Sequence, residues 1–255
     1  MRTLFLLISI FVSLHFISFS QGEIDSDKKI LFRNEKSYGI YANSNGFGFG
    51  YAFARQINIH RKFIYEGDIN TVKHQKEKKS TFYFGESLKR YVYGKTNYAF
   101  NIRIGVGQQH VLYKKFDRNS VAVRFFYTGG FTTMFLKPIY YLVYEDSTLE
   151  YKWMLFEKNT SFWKIVDRKP FLHAFDELKL VPGLYFRTGF NFDFGKEDKR
   201  LNLLELGVTL DAYPKQIKIM ETAYNPSFLP LVYISYRWGK VVSGYYLKEQ
   251  DEGIE

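Results

Sequence analysis

The sequence predicts an all-β chain, an eight-stranded antiparallel up-and-down transmembrane β-barrel with long extracellular loops, and three observations carry that prediction. The first is alternation. From Phe47 to Ile59 the odd positions are Phe47, Phe49, Tyr51, Phe53, Arg55, Ile57 and Ile59, and the even ones are Gly48, Gly50, Ala52, Ala54, Gln56 and Asn58. A period of two with one greasy face belongs to a strand whose two sides meet different surroundings. The second is a leader: Met1-Arg2 is followed by an apolar run from Leu4 to Phe16, broken only by Ser9, Ser13 and His15, and then by small residues at Ser18 and Ser20. The third is that the gaps between alternating segments fall into short and long ones in turn, as bacterial barrels require.

Taken in order, residues 1–20 read as a cleaved signal peptide, because their apolar run is shorter than the ~20 residues a spanning helix needs. Residues 21–255 then form a single barrel domain. Its strands fall at about 36–43, 47–59, 63–73, 97–113, 121–138, 183–195, 201–213 and 229–239, followed by a polar tail over 240–255. In the fourth, Tyr98, Phe100, Ile102, Ile104 and Val106 oppose Ala99, Asn101, Arg103, Gly105 and Gly107. In the sixth, Leu184, Phe186, Phe190, Phe192 and Phe194 oppose Arg187, Gly189, Asn191 and Asp193. The last strand sets Val232, Ile234, Tyr236 and Trp238 against Tyr233, Ser235 and Arg237, the form of a closing outer-membrane strand.

With both ends in the periplasm, the inward connections are 60–62, 114–120 and 196–200, all short, while 74–96, 139–182 and 214–228 face outward. The first outward hairpin is short and carries Asn45-Gly46, a strong tight-turn signal. A soluble β-sandwich or lipocalin-like barrel is the competing architecture, with the aromatic face as core and the other face in water. Small residues such as Gly48, Gly50, Gly105 and Gly189 suit a crowded lumen better than a wetted surface.

Composition agrees with export and membrane insertion. Cysteine is absent, which excludes a disulfide framework and thiolate metal sites. Aromatic residues make up 20% of the chain, and a barrel turns such rings toward lipid and its interfaces. The formal charge is +10, or +9 once Arg2 leaves with the leader. An exported chain is a poor nucleic-acid partner, so the excess points to lipid phosphates.

Alternation also sorts the charges. The face opposite the aromatics holds Arg103, Arg124, Arg187 and Arg237 with Glu66, Asp68, Asp193, Glu205 and Asp211. Opposite charges in one narrow lumen must pair and hydrogen-bond, and eight strands leave just enough room for side chains. An ion-pair network and a plugged lumen follow as the expectation, with a gated proton or ion path as the alternative.

Outside the strands, Lys73, His74, Lys76, Lys78 and Lys79 form a basic run that could meet lipopolysaccharide phosphates or remain a solvated loop. The segment 139–182 holds Tyr151, Trp153, Phe156, Phe162, Trp163 and Phe171, enough aromatics for a protein-partner contact, a cover over the barrel mouth, or a loop packed on itself. Ser80, Ser87, His74 and Glu86 share one outer loop and admit a lipid-cutting triad in principle, although no catalytic residue is assigned on proximity alone. Gly94-Lys95-Thr96 lacks the upstream glycine of a phosphate loop, and Gly46 to Gly50 lacks the following helix of a dinucleotide fingerprint. His60, His74, His110 and His173 have no paired spacing, so no metal or cofactor is expected.

The junction Ser18-Phe19-Ser20-Gln21, the runs Ile64 to Asp68 and Lys73 to Glu77, the segment Tyr91-Val92-Tyr93-Gly94-Lys95-Thr96-Asn97, and Phe135-Leu136-Lys137-Pro138 resemble outer-membrane β-barrel proteins of Bacteroidota. The resemblance spans most of the mature chain. It implies a bacterial outer-membrane location and a barrel fold, and it supplies no activity, because the family is largely uncharacterised. Gln75 stands where related motifs carry proline. The sequence reading is therefore an outer-membrane barrel that binds, scaffolds or serves as an accessory subunit, with a lipid-modifying enzyme or a narrow channel as alternatives.

Overall fold

The computed structural model describes residues 33–81, 90–116, 120–145, 149–196, 199–221 and 223–243. The leader, Glu86, Ser87 and most of the expected tail lie outside these residues. In chain order the strands are β1 (Arg33–Asn43), β2 (Gly46–Asn58), β3 (Arg61–Val72), β4 (Lys79–Thr81), β5 (Arg90–Val92), β6 (Asn97–Tyr113) and β7 (Ala122–Pro138). They continue with β8 (Tyr140–Glu145), β9 (Glu150–Leu155), β10 (Ile165–Arg168), β11 (Lys179–Asp193), β12 (Arg200–Ala212) and β13 (Phe228–Ser243).

Eight of them close an antiparallel barrel in the order β1-β13-β12-β11-β7-β6-β3-β2. The closing seam pairs Arg33 with Ser243 through to Asn43 with Tyr233. These strands run 11 to 17 residues, above the ~3–10 of ordinary strands. The expected polar tail begins too early. Lys240 to Ser243 continue β13 because β1 also starts three residues before its expected beginning, and the two extensions pair with each other.

Two further boundaries move for physical reasons. Arg61 and Lys62 were expected in a turn but belong to β3, and the β2–β3 connection shrinks to Ile59-His60. Strand β11 begins at Lys179, so Pro182 lies inside it. There β11 pairs with β7, but pairing with β12 starts only at Leu184, and an overhang with one neighbour tolerates a proline.

The two faces of the wall separate as the alternation predicts. Outward residues stay exposed, Ile104 at 67% and Phe131 at 74%. Rings pack laterally along this outer surface, with Phe100 stacked on Phe135 at 5.1 Å and Tyr38 5.2 Å from Tyr51. Inward, glycine makes room for tyrosine. A Cβ on Gly50 would stand 2.8 Å from the Tyr41 ring, and one on Gly207 would stand 2.8 Å from the Tyr233 hydroxyl. A closed antiparallel sheet pairs its strands all the way round, with an exposed apolar exterior and a charged centre, which is the condition for crossing a bilayer.

Candidate functional site

Alternation along the inward face brings nine charged residues of the expected network into the lumen, all buried. At its centre is Asp68 on β3. Arg103 of β6 reaches it at 3.2 Å, and Arg187 of β11 at 2.6 Å. Arg103 also grips Asp211 with two bonds, Nε at 2.8 Å and Nη2 at 2.6 Å, the parallel fork that suits guanidinium to carboxylate. Glu66 accepts from Thr128 at 2.7 Å, from Tyr185 at 2.8 Å and from Arg187 at 3.3 Å. The Arg187 guanidinium lies between the rings of Tyr41 and Tyr233, at 5.1 and 5.2 Å.

Next to this centre, Arg237 donates to Tyr41 at 2.8 Å and meets Glu205 at 3.5 Å, while Tyr233 donates to Glu205 at 2.8 Å. At the periplasmic end Arg124 bridges Glu35 at 2.8 Å and Asp193 at 2.7 Å. Lys62 pairs with Glu35, and Lys115 with Asp193 at 2.7 Å. Glu35, Lys62 and Lys115 were missed in the sequence. The inward parity of Ser37 extended back to Glu35, and that of Ile64 back to Lys62, would have found the first two. Lys115 lies beyond the end of β6 and carries no such signal. Among the described residues the ion pairs of the lumen join six cations, Lys62, Arg103, Lys115, Arg124, Arg187 and Arg237, to six carboxylates, Glu35, Glu66, Asp68, Asp193, Glu205 and Asp211. A cavity of about 30 Å³ between Glu66, Glu205 and Asn191 has room for roughly one or two waters.

The extracellular end is closed by apolar packing. Ile217, Ile219 and Met220, from the β12–β13 connection, pack against inward-facing Val72, Ala99, Met134 and Leu136. Asn225 holds this plug in shape by accepting from the Ile219 and Met220 amides at 2.8 and 3.1 Å and donating to the Met220 carbonyl at 2.6 Å. The segment before β13 thus supplies the apolar packing at the mouth, a role for which segment 139–182 was one expected candidate.

That aromatic segment is also less of a loop than expected. It contains a three-stranded sheet of order β10-β8-β9. One face of the sheet packs Tyr141, Val143, Phe156 and Ile165 around Tyr91 of β5. Phe162 stacks on Tyr91 at 6.0 Å, so Phe156 is buried in this small core and Phe162 packs partly buried against it. Burial in the same core pushes the Tyr91 phenol up to about 12. Tyr151 and Trp163 remain 62% and 61% exposed, and Trp153 is exposed with Lys169 placed over its ring at 5.4 Å.

In the basic run, Lys73, Lys76, Lys78 and Lys79 are exposed. His74 is not free: its Nδ1 accepts from the Lys76 amide at 3.1 Å and its Nε2 donates to the Tyr224 carbonyl at 3.0 Å. Both contacts fit one neutral tautomer, and neither ring nitrogen is left for the hydroxyl of Ser80. Glu77 accepts two bonds from Lys95, both 2.8 Å, and one from the His74 amide at 3.0 Å. Burial lowers the Lys95 ammonium below the ordinary lysine range, against the opposing pull of Glu77.

A closed barrel of eight strands with an apolar outer band and a charge-paired interior defines an integral membrane protein of the bacterial outer-membrane type. No protein-family model matches the chain, and no curated protein matches it either. Among solved structures, Neisserial surface protein A is similar at 10% identity and a TM-score of 0.40, over 83% of this chain and 97% of that one. Ail, the attachment invasion locus protein of Yersinia pestis, solved in complex with the heparin analogue sucrose octasulfate, is similar at 7% and 0.38, over 84% and 100%. The N-terminal β-barrel domain of Pseudomonas aeruginosa OprF is similar at 4% and 0.37, over 83% and 99%.

Proposed function

We propose that this protein is a non-conducting outer-membrane barrel that works through its extracellular face, as a binding, scaffolding or accessory subunit. The observation that carries the reading is the filled lumen. Every buried carboxylate named above has a cationic or hydroxyl partner, and the apolar plug of Ile217, Ile219 and Met220 sits over the top. A water path of useful width has no place in such an interior. Chemistry and contact then fall to the outside, where the β8–β9 ribbon exposes Tyr151 and Trp153 and the Lys73 to Lys79 run exposes cations. Aromatic rings on a rigid sheet are the usual anchors of a partner contact. Lipopolysaccharide phosphates are the natural counter-charge for the lysines at that level. We read the chain as one of the Bacteroidota barrels it resembles.

The test is extraction of the tagged protein from its native outer membrane in mild detergent, with identification of whatever accompanies it in stoichiometric amount. A reproducible protein partner lost on Tyr151→Ser/Trp153→Ser supports the subunit reading. Isolation without any protein, unchanged by those substitutions, overturns it.

A further inference from the structure

The extracellular rim holds a cleft of about 320 Å³, at the low end of the ~300–1,000 Å³ typical of ligand sites. One side is the β1–β2 turn with Ser44 and Asn45, and another is the chain leaving β3, with Lys73, His74 and Lys76. The apolar floor that solvent reaches is formed by Tyr224, Pro226 and Leu229, with the buried Val72 and Ile217 behind it. An adjoining hollow shares Ser44, Asn45, Lys73 and His74 with it and is also lined by Phe47, a residue of the outward wall that is exposed. The two together form a groove that runs from the lipid-facing side over the rim to the edge of the plug.

Its chemistry is divided. Lys73 and Lys76 are exposed and carry no ion pair among the described residues, unlike Lys95, which Glu77 neutralises. Lys73 lies over the Phe47 ring at 5.9 Å, at the lipid-side entrance. A free anion would use the cations and leave the floor bare. A neutral lipid would use the floor and leave the lysines uncompensated.

We propose that this groove binds a phosphorylated lipid of the surrounding leaflet, entering sideways past Phe47, with its phosphate between Lys73 and Lys76 and the first part of an acyl chain on Tyr224, Pro226 and Leu229. The cleft volume admits that headgroup-proximal part and not a whole lipid. His74 shapes the wall through its two backbone bonds and does not bind the phosphate. The inference rests on reading the chain as a membrane-embedded barrel, and it names the lipid class for the basic run.

The probe is dihexanoyl phosphatidic acid, added to the full chain in neutral detergent micelles and followed by amide NMR shifts at Asn45, Gly46 and Lys73. Saturable shifts are expected there. Dihexanoyl phosphatidylcholine, whose choline cancels the headgroup charge, and inorganic phosphate should each bind about tenfold or more weakly. Lys73→Ala/Lys76→Ala should weaken binding about tenfold, and Ser44→Trp, which fills the cleft from its exposed edge, should abolish it. Inorganic phosphate binding as tightly as the lipid, lipid binding indifferent to both changes, or no localised shift overturns the proposal. A failure of the membrane-barrel reading shows elsewhere, as loss of the heat-dependent gel shift of the folded protein, so the two are distinguishable.

Discussion

At the residue scale, the interior is organised by arginine. Arg187 touches Asp68, Glu66 and Thr209 and is walled by tyrosine rings. Removing it leaves Glu66 without an arginine and Asp68 with Arg103 alone, beside a cavity that holds only roughly one or two waters. Arg187→Met should therefore destabilise the barrel by about 3–5 kcal/mol, read as a lower urea midpoint of the folded band in detergent. Stability equal to the parent would mean that the lumen is wetter than its geometry implies. Sterics make a second case. A Cβ on Gly105 would meet the Tyr185 hydroxyl and lie 2.6 Å from the Gly129 carbonyl, so Gly105→Val should cost about 1–3 kcal/mol in the same assay and displace the Tyr185 to Glu66 bond. Charges such as Arg103 and Glu205 were legible in the sequence because strict alternation assigns each residue a side. Their partners were not, since pairing across the lumen, as between Arg103 and Asp211, depends on barrel closure and not on neighbours in the chain.

At the element scale, legibility follows environment. Strand β6 was read with its observed ends, Asn97 and Tyr113, because one face meets lipid and the other a polar lumen. Strand β8 was missed because that contrast disappears where both faces of a strand are apolar. Tyr140, Leu142 and Tyr144 cover one side of β8 while Tyr141 and Val143 fill the core on the other. Among the described residues, the core of this cap shares no fully buried residue with the mouth plug or the inner wall, and Tyr98 of β6 packs against it partly buried. Phe156→Ala should then loosen the cap alone, by about 3–5 kcal/mol, seen as new proteolytic cuts in 140–178 with the heat-dependent gel shift retained. Loss of that shift would show that cap and barrel fold as one unit. The Glu77–Lys95 pair is another element-level joint, tying the basic run to the chain before β6. Lys95→Met and Glu77→Gln each break the pair and strand a partner whose side chain is at most a tenth exposed, so both should accelerate proteolysis of residues 73–81. Unchanged proteolysis in both variants would deny that joint.

At the scale of the whole molecule, two independent closures act in series. The apolar plug of Ile217, Ile219 and Met220 blocks the extracellular mouth, and beneath it the paired charges fill the bore down to Arg124, Glu35 and Asp193. Either alone raises a barrier to ions: the plug because it offers no hydration, the network because each charge is already neutralised and held. On the non-conducting reading proposed above, opening one does not open the path. Planar bilayers containing the intact protein should show no steady conductance. A variant lacking residues 216–222 should stay closed as well, because the arginine layer remains in place. Combining that deletion with Arg103→Ala, Arg187→Ala and Arg124→Ala should admit ions if the assembly still inserts, which the gel shift reports. Steady current through the intact chain would place a conducting route through this interior and return the channel reading to first place; current after the plug deletion alone would show that the charge layer is porous and that the plug is the gate.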